Sequence, residues 1–285
     1  MNTMKNITLR IGDLTNGRNK IMKGNVKMRK STIILTLALA LTLILYGCGS
    51  TETAQQNNEI PMLELTACDS NVESDGLYTA NFGEAVIEVR SSEEEGNIKL
   101  EIPVEYDTTN QVYISMIDET HGSILYCSSP AMGQMYKILY RTDDGWDSYE
   151  EIDISSQLDS YPNSLTMSSE DTGYIGVALR NSSYLYHTQD GGQTWEPYEV
   201  DESVDNCNGF APVFDKAGKG AYLILDMKIN SSEYRFRLYQ SANDGKEWDI
   251  IGEFSLSAYL SRYFLKDDVL YVVDTQDKCF SIDLK

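Results

Sequence analysis

Three turns of nearly one pattern punctuate this chain: Arg141-Thr142-Asp143-Asp144-Gly145-Trp146, Thr188-Gln189-Asp190-Gly191-Gly192-Gln193-Thr194-Trp195 and Ser241-Ala242-Asn243-Asp244-Gly245-Lys246-Glu247-Trp248. Every tryptophan of the sequence lies in one of them. A fainter copy, Ser92-Glu93-Glu94-Glu95-Gly96, precedes them, and the third positions 94, 143, 190 and 243 are spaced by 49, 47 and 53 residues. A steady interval of about 50 residues marks a repeat architecture whose unit is one small sheet. Within each turn the chemistry is structural. The Asp or Asn side chain accepts hydrogen bonds from the turn's own amides, Gly takes the φ > 0 position, and the aromatic ring packs on the hairpin.

Between the turns run short alternating or β-branched and aromatic segments: AVIEVRS, IKLEIPVEY, QVYISMI, SILYCS, YKILYRT, YIGVAL, SYLYHT, AYLILDM, YRFRLYQ and VLYVVDT. These read as strands. No segment of helical length keeps a 3.6-residue period with caps, so the domain reads as all-β.

The middle turn matches S/T-x-D-x-G-x-T-W through Thr188, Asp190, Gly192, Thr194 and Trp195; the third keeps Ser241, Gly245 and Trp248 with Asn243 in place of Asp. The first is read with Arg141 at the Ser/Thr place, followed by Asp143, Gly145 and Trp146. This pattern resembles the Asp-box, or BNR repeat, of β-propellers such as sialidases, sortilin-type receptors and photosystem II assembly factors. The resemblance implies a β-propeller of four or five blades, with the boxes on the outer edge and ligands near the axis. Blades are expected over 108–153, 154–200 and 204–254, with the tail from Tyr259 to Leu284 giving about three more strands. Residues 60–105 either complete that last sheet with one strand or add a degenerate blade. An open or sandwich-like arrangement is the alternative.

The N-terminal part carries an address. Ser31 to Tyr46 is an uncharged, mostly apolar run preceded by Lys27, Arg29 and Lys30 and followed by Gly47-Cys48-Gly49-Ser50. That order is a signal peptide, because a membrane-spanning helix needs about 20 apolar residues and a polar stretch follows here. Leu45-Tyr46-Gly47-Cys48 resembles the bacterial lipobox, departing from it at Tyr46, and implies acylation of Cys48 and a double-chain anchor. The expected organisation is residues 1–47 as signal peptide, with translation starting at Met22 or Met28 as an alternative, 48–60 as flexible tether and 61–285 as propeller. The product would be a monomer, lipid-anchored to the cell membrane and facing the extracytoplasmic side.

From Cys48 onward there are 43 acidic against 15 basic residues, a formal charge of −28. Such a body repels phosphate backbones, which argues against nucleic-acid binding. With Cys48 acylated, Cys68, Cys127, Cys207 and Cys279 remain as disulfide candidates, and four cysteines allow three pairings. No CxxC or Cys/His spacing points to a metal, and no cofactor fingerprint is present.

The enzyme reading is a divergent sialidase-like glycosidase. In those families an arginine triad holds the substrate carboxylate, a Tyr nucleophile is activated by Glu, an Asp is acid/base, and an Arg-Ile-Pro signature stands near the first blade. The signature is missing, and after Cys48 there are six arginines: Arg90, Arg141, Arg180, Arg235, Arg237 and Arg262. Neither His121 nor His187 lies near a nucleophile elbow. The sequence therefore favours a non-catalytic propeller that binds a protein or glycan at the cell surface, with glycosidase activity as the alternative.

Overall fold

The alternating and apolar runs become strands, and the second strands of blades I and II are buried on both faces over most of their length. We describe the chain from a computed structural model that covers residues 60–68, 78–82, 85–91, 98–104, 109–131, 134–178, 184–204, 207–215, 218–226 and 233–284. Cys48, the signal segment, the Glu94 turn and Arg180 lie outside the described residues.

Nineteen strands form five antiparallel sheets. Blade I comprises β5 (Gln111–Met116), β6 (Gly122–Ala131), β7 (Gln134–Thr142) and β8 (Glu150–Asp153). Blade II comprises β9 (Tyr161–Met167), β10 (Gly173–Ala178), β11 (Tyr184–Thr188) and β12 (Glu196–Glu199). Blade III comprises β13 (Cys207–Phe214), β14 (Gly220–Asp226), β15 (Tyr234–Ser241) and β16 (Asp249–Leu256). Blade IV takes β17 (Leu260–Lys266), β18 (Val269–Asp274) and β19 (Cys279–Asp283), and is completed by β1 (Thr66–Cys68), from the other end of the domain. A fifth sheet has three strands, β2 (Tyr78–Phe82), β3 (Val86–Ser91) and β4 (Ile98–Pro103). Residues 60–105 thus do both things expected as alternatives: one strand closes the last blade and three more form a short sheet.

The sheets stack face to face. Ile87, Val89 and Ile102 of the three-stranded sheet pack on Ile124, Tyr126 and Tyr140 of blade I. Leu125, Leu139 and Ile152 of blade I meet Leu165, Ile175 and Tyr186 of blade II. Tyr174 and Leu185 meet Tyr222 and Tyr239 of blade III, and Leu223 and Phe254 meet Leu260, Val272 and Ile282 of blade IV. The first strands β5, β9, β13 and β17 touch in succession, so they form the inner ring of a β-propeller. In blade I β6 is covered over its first seven residues, whereas the four-residue outer strands β8 and β12 of blades I and II are mostly exposed.

The inner strands carry bulges. Asn163 is the extra residue of β9 between the Pro162–Val177 and Ser164–Gly176 pairs, and β13 and β17 shift register likewise against their neighbours. Proline lacks a ladder N–H and is confined to such irregularities, which is where Pro162 and Pro212 stand.

Candidate functional site

The three turns share one hydrogen-bond scheme, and its register is set by the strands beneath. In blade II Thr188 Oγ1 donates to Asp190 Oδ1 at 2.8 Å, while Gly192 N donates to Thr188 Oγ1 at 2.8 Å. Asp190 also accepts from Thr194 N at 2.9 Å and Thr194 Oγ1 at 2.6 Å. Blade III repeats this with Ser241, Asn243, Gly245 and Glu247. Trp195 and Trp248 follow, and Trp195 Nε1 donates to Gly192 O.

Blade I follows the same scheme one residue later than the sequence reading placed it. Thr142 Oγ1 donates to Asp144 Oδ1 at 2.8 Å, Trp146 N donates to Thr142 Oγ1 at 3.0 Å, and Ser148 donates twice to Asp144. Asp144, not Asp143, is therefore the turn carboxylate, Trp146 occupies the place of Gly192, and Tyr149 that of Trp195. Gly145 corresponds to Gly191. Backbone angles agree: φ is +69° and +68° at Gly145 and Trp146, +69° and +92° at Gly191 and Gly192, and +57° and +76° at Asp244 and Gly245. Sheet register explains the frame, because Thr142, Thr188 and Ser241 pair with Gly122, Gly173 and Gly220, each the first residue of a second strand. Hydrogen bonds from Ser148 and Thr142 hold the Asp144 carboxyl down at about 2, and those from Thr194 and Thr188 lower Asp190 in the same direction.

Of the four candidate disulfide cysteines, two are joined. Cys68 on β1 pairs with Cys279 on β19, whereas Cys127 and Cys207 are buried in different blades and are not disulfide-bonded. Burial pushes the Cys127 thiol up to about 12, against the partial opposition of Lys137. Lys137, its cross-strand partner, is itself buried and donates to Met135 O and Leu158 O, and burial lowers its amine.

The inner ring is polar yet free of carboxylates: β5, β9, β13 and β17 contain no Asp or Glu. Its polar groups bond strand to strand. Ser115 Oγ accepts from Met167 N at 2.8 Å and Ser164 Oγ from Ala211 N at 2.7 Å. Asn163 Nδ2 donates to Gly209 O, Asn208 Nδ2 to Tyr259 Oη, Tyr113 Oη to Pro162 O and Tyr263 Oη to Ala211 O. Burial drives the Tyr113 and Tyr263 phenols well above their ordinary value.

The described arginines are dispersed. Arg90 on β3 pairs with Glu88, while Arg235 and Arg237 on β15 pair with Glu253, Arg237 also reaching Asp201. Arg262 is the arginine found on the first strand of a described sheet. Arg141 ends up against the next blade, its guanidinium where a Cβ on Gly191 would come within 2.6 Å of it. There it borders an open cleft of about 270 Å³ lined by Arg141, Thr142, Asp143, Ser148, Tyr149 and Glu150. Behind it, His121 Nδ1 bonds Asp118 at 2.9 Å and Nε2 lies 3.6 Å from Glu170 of blade II. The Asp118 hydrogen bond raises the His121 imidazole above its ordinary value. The lining of this cleft falls entirely within residues 141–150, but the packing of Arg141 on Gly191 and of Glu150 on Gln193 comes from the neighbouring repeat and was not legible beforehand.

No protein-family model matches this chain, and no curated protein does. Solved structures similar to it include the phage phi92 endosialidase, with a TM-score of 0.42 and 10% identity over 70% of this chain and 39% of that one. A Trypanosoma rangeli sialidase in complex with 2,3-difluorosialic acid gives a TM-score of 0.37 at 14% identity, over 73% of this chain and 37% of that one. YCF48 bound to D1 peptide gives a TM-score of 0.29 at 11% identity, over 79% of this chain and 85% of that one. The chain spans about two-fifths of the sialidase chains it matches. These are likenesses of fold alone.

Proposed function

We propose that this chain is an exported lipoprotein, acylated on Cys48 and held to the extracytoplasmic face of the cell membrane, whose propeller binds a protein or glycan partner without catalysis. The observation that carries the non-catalytic reading is the inner ring. A glycosidase needs two carboxylates flanking the scissile bond, or a phenol activated by a neighbouring base. The inner strands supply neither, and the phenols of Tyr113 and Tyr263 are held neutral by burial. Arginines that would clamp an acidic sugar are spread over β3, β7, β15 and β17.

Two measurements test this reading. Purified protein incubated with fluorogenic sialosides and neutral glycosides should give no turnover above buffer; turnover abolished by Arg262→Ala would establish the glycosidase instead. In cells, Cys48→Ala should abolish palmitate incorporation and release the protein from membranes, while crosslinking of the wild-type protein should capture one partner. Continued labelling of the Cys48→Ala variant would refute the anchor.

A further inference from the structure

In a domain with 43 acidic residues after Cys48, Arg141 stands apart. Arg90, Arg235 and Arg237 each hold a carboxylate, whereas among the described residues the Arg141 side chain makes neither an ion pair nor a hydrogen bond. Carboxylates are nevertheless close. Glu150 is its direct cross-strand neighbour on β8, and Asp143 lines the same cleft. They do not close on the guanidinium. Glu150 instead accepts from Gln193 Nε2 of blade II at 3.2 Å, while Arg141 packs on Gly191 of the same turn. Gly191 itself is fixed by donating to Asp171 O at 2.8 Å. One guanidinium and two carboxylates therefore line a single opening without pairing, with the ring of Tyr149 braced edge-on against Tyr140 at its border.

A guanidinium presents a planar fork suited to a carboxylate, and separated carboxylates receive an ammonium group. The opening, at about 270 Å³, is slightly below the range of drug-sized ligand pockets, so its ligand is small. An acidic sugar offers a carboxylate but no cation for Asp143 and Glu150, and the −28 charge of the exported part opposes any net anion. A zwitterion satisfies both sides and carries no net charge. We infer that this cleft at the turn of blade I binds the head group of a free α-amino acid, its carboxylate on Arg141 and its ammonium between Asp143 and Glu150. Such a site is off the axis and does not depend on the partner proposed above.

The test is calorimetric titration of the purified domain with glycine and L-alanine, alongside acetate, methylamine and glucuronate as single-charge and sugar-acid probes. The amino acids should bind, and acetate and methylamine should bind about tenfold or more weakly, since each loses one charge-assisted contact. Arg141→Ala should reduce glycine affinity by a similar factor or more. Arg141→Lys, which keeps the charge but not the fork, should recover part of the loss, and Glu150→Gln should weaken glycine while preserving the contact with Gln193. The inference is overturned if glucuronate or acetate binds as well as glycine, if Arg141→Lys and Arg141→Ala both keep wild-type affinity, or if no amino acid binds at millimolar concentration.

Discussion

Cys68 and Cys279 stand directly opposite each other across the β1–β19 pair and are bonded, with their Cα atoms 5.2 Å apart and a sequence separation of 211. The bond closes blade IV by tying the first strand of the domain to its last. A hydrogen-bonded hook adjoins it: Leu63 N donates to Glu253 O and Glu253 N to Pro61 O, so the same segment also grips the outer strand of blade III. Cross-linking so long a loop removes much denatured-state entropy, and loss of such a bond costs about 2–5 kcal/mol. Cys68→Ser/Cys279→Ser should therefore melt about 5–15 °C below wild type. Alkylation should modify Cys127 and Cys207 in unfolded protein and spare them in native protein. A Cys279→Ser variant with unchanged melting temperature would refute this role.

The shifted frame of the first turn separates two adjacent acids. Asp144 accepts bonds from Thr142 and Ser148, whereas Asp143 is exposed at the edge of the cleft. Asp144→Ala should lower the melting temperature by several degrees, while Asp143→Ala should leave it within about 2 °C, the usual range for surface changes. If Asp143→Ala is the more damaging, the frame is Asp143-Gly145-Trp146 after all.

Acid should act through these same turns. The folded-state carboxyls of Asp144 and Asp190 lie below the ordinary value near 3.9, so each contributes stability that is fully present above about pH 4. That contribution is lost as pH falls through the folded value, about 2 for Asp144. The third turn already uses a neutral acceptor, Asn243. Asp144→Asn/Asp190→Asn should therefore show a shallower decline in denaturant midpoint between about pH 4 and about pH 2 than wild type. Parallel curves would show that the turns do not titrate with folding.

Much of this molecule could be read from its chain, for identifiable reasons. Turns in blades II and III were legible because Gly192 and Gly245 stand where the backbone is left-handed, whereas Trp146 fills that place in blade I and drew the reading one residue early. Second strands such as SILYCS were evident from burial on both faces, but β9 and β13 hide behind Pro162, Pro212 and their bulges. The outer strands β8 and β12, four residues each, are too short to show alternation. The Cys68–Cys279 pairing is not local, and although the cleft beside Arg141 is lined by residues 141–150 alone, its contacts with Gly191 and Gln193 depend on which repeat abuts which.

Trp146 itself gives the sharpest test of the turn. Its fully buried indole packs among Ile87, Ile124 and Tyr140, with Nε1 donating to Met116 Sδ, yet its backbone has φ +68°. Replacing a left-handed non-glycine residue with glycine relieves strain of about 1 kcal/mol, and the motif of the other two turns would suggest an improvement. Deleting a buried Trp side chain costs about 3–5 kcal/mol, which is larger. Trp146→Gly should therefore destabilise the domain by about 2–4 kcal/mol in denaturant unfolding despite restoring the repeat's own residue. Gly192→Ala should also destabilise, because its φ is +92° and the added Cβ would fall 2.3 Å from Leu139 Cδ2. A Trp146→Gly variant as stable as wild type would mean that the seam between blade I and the three-stranded sheet does not depend on this ring.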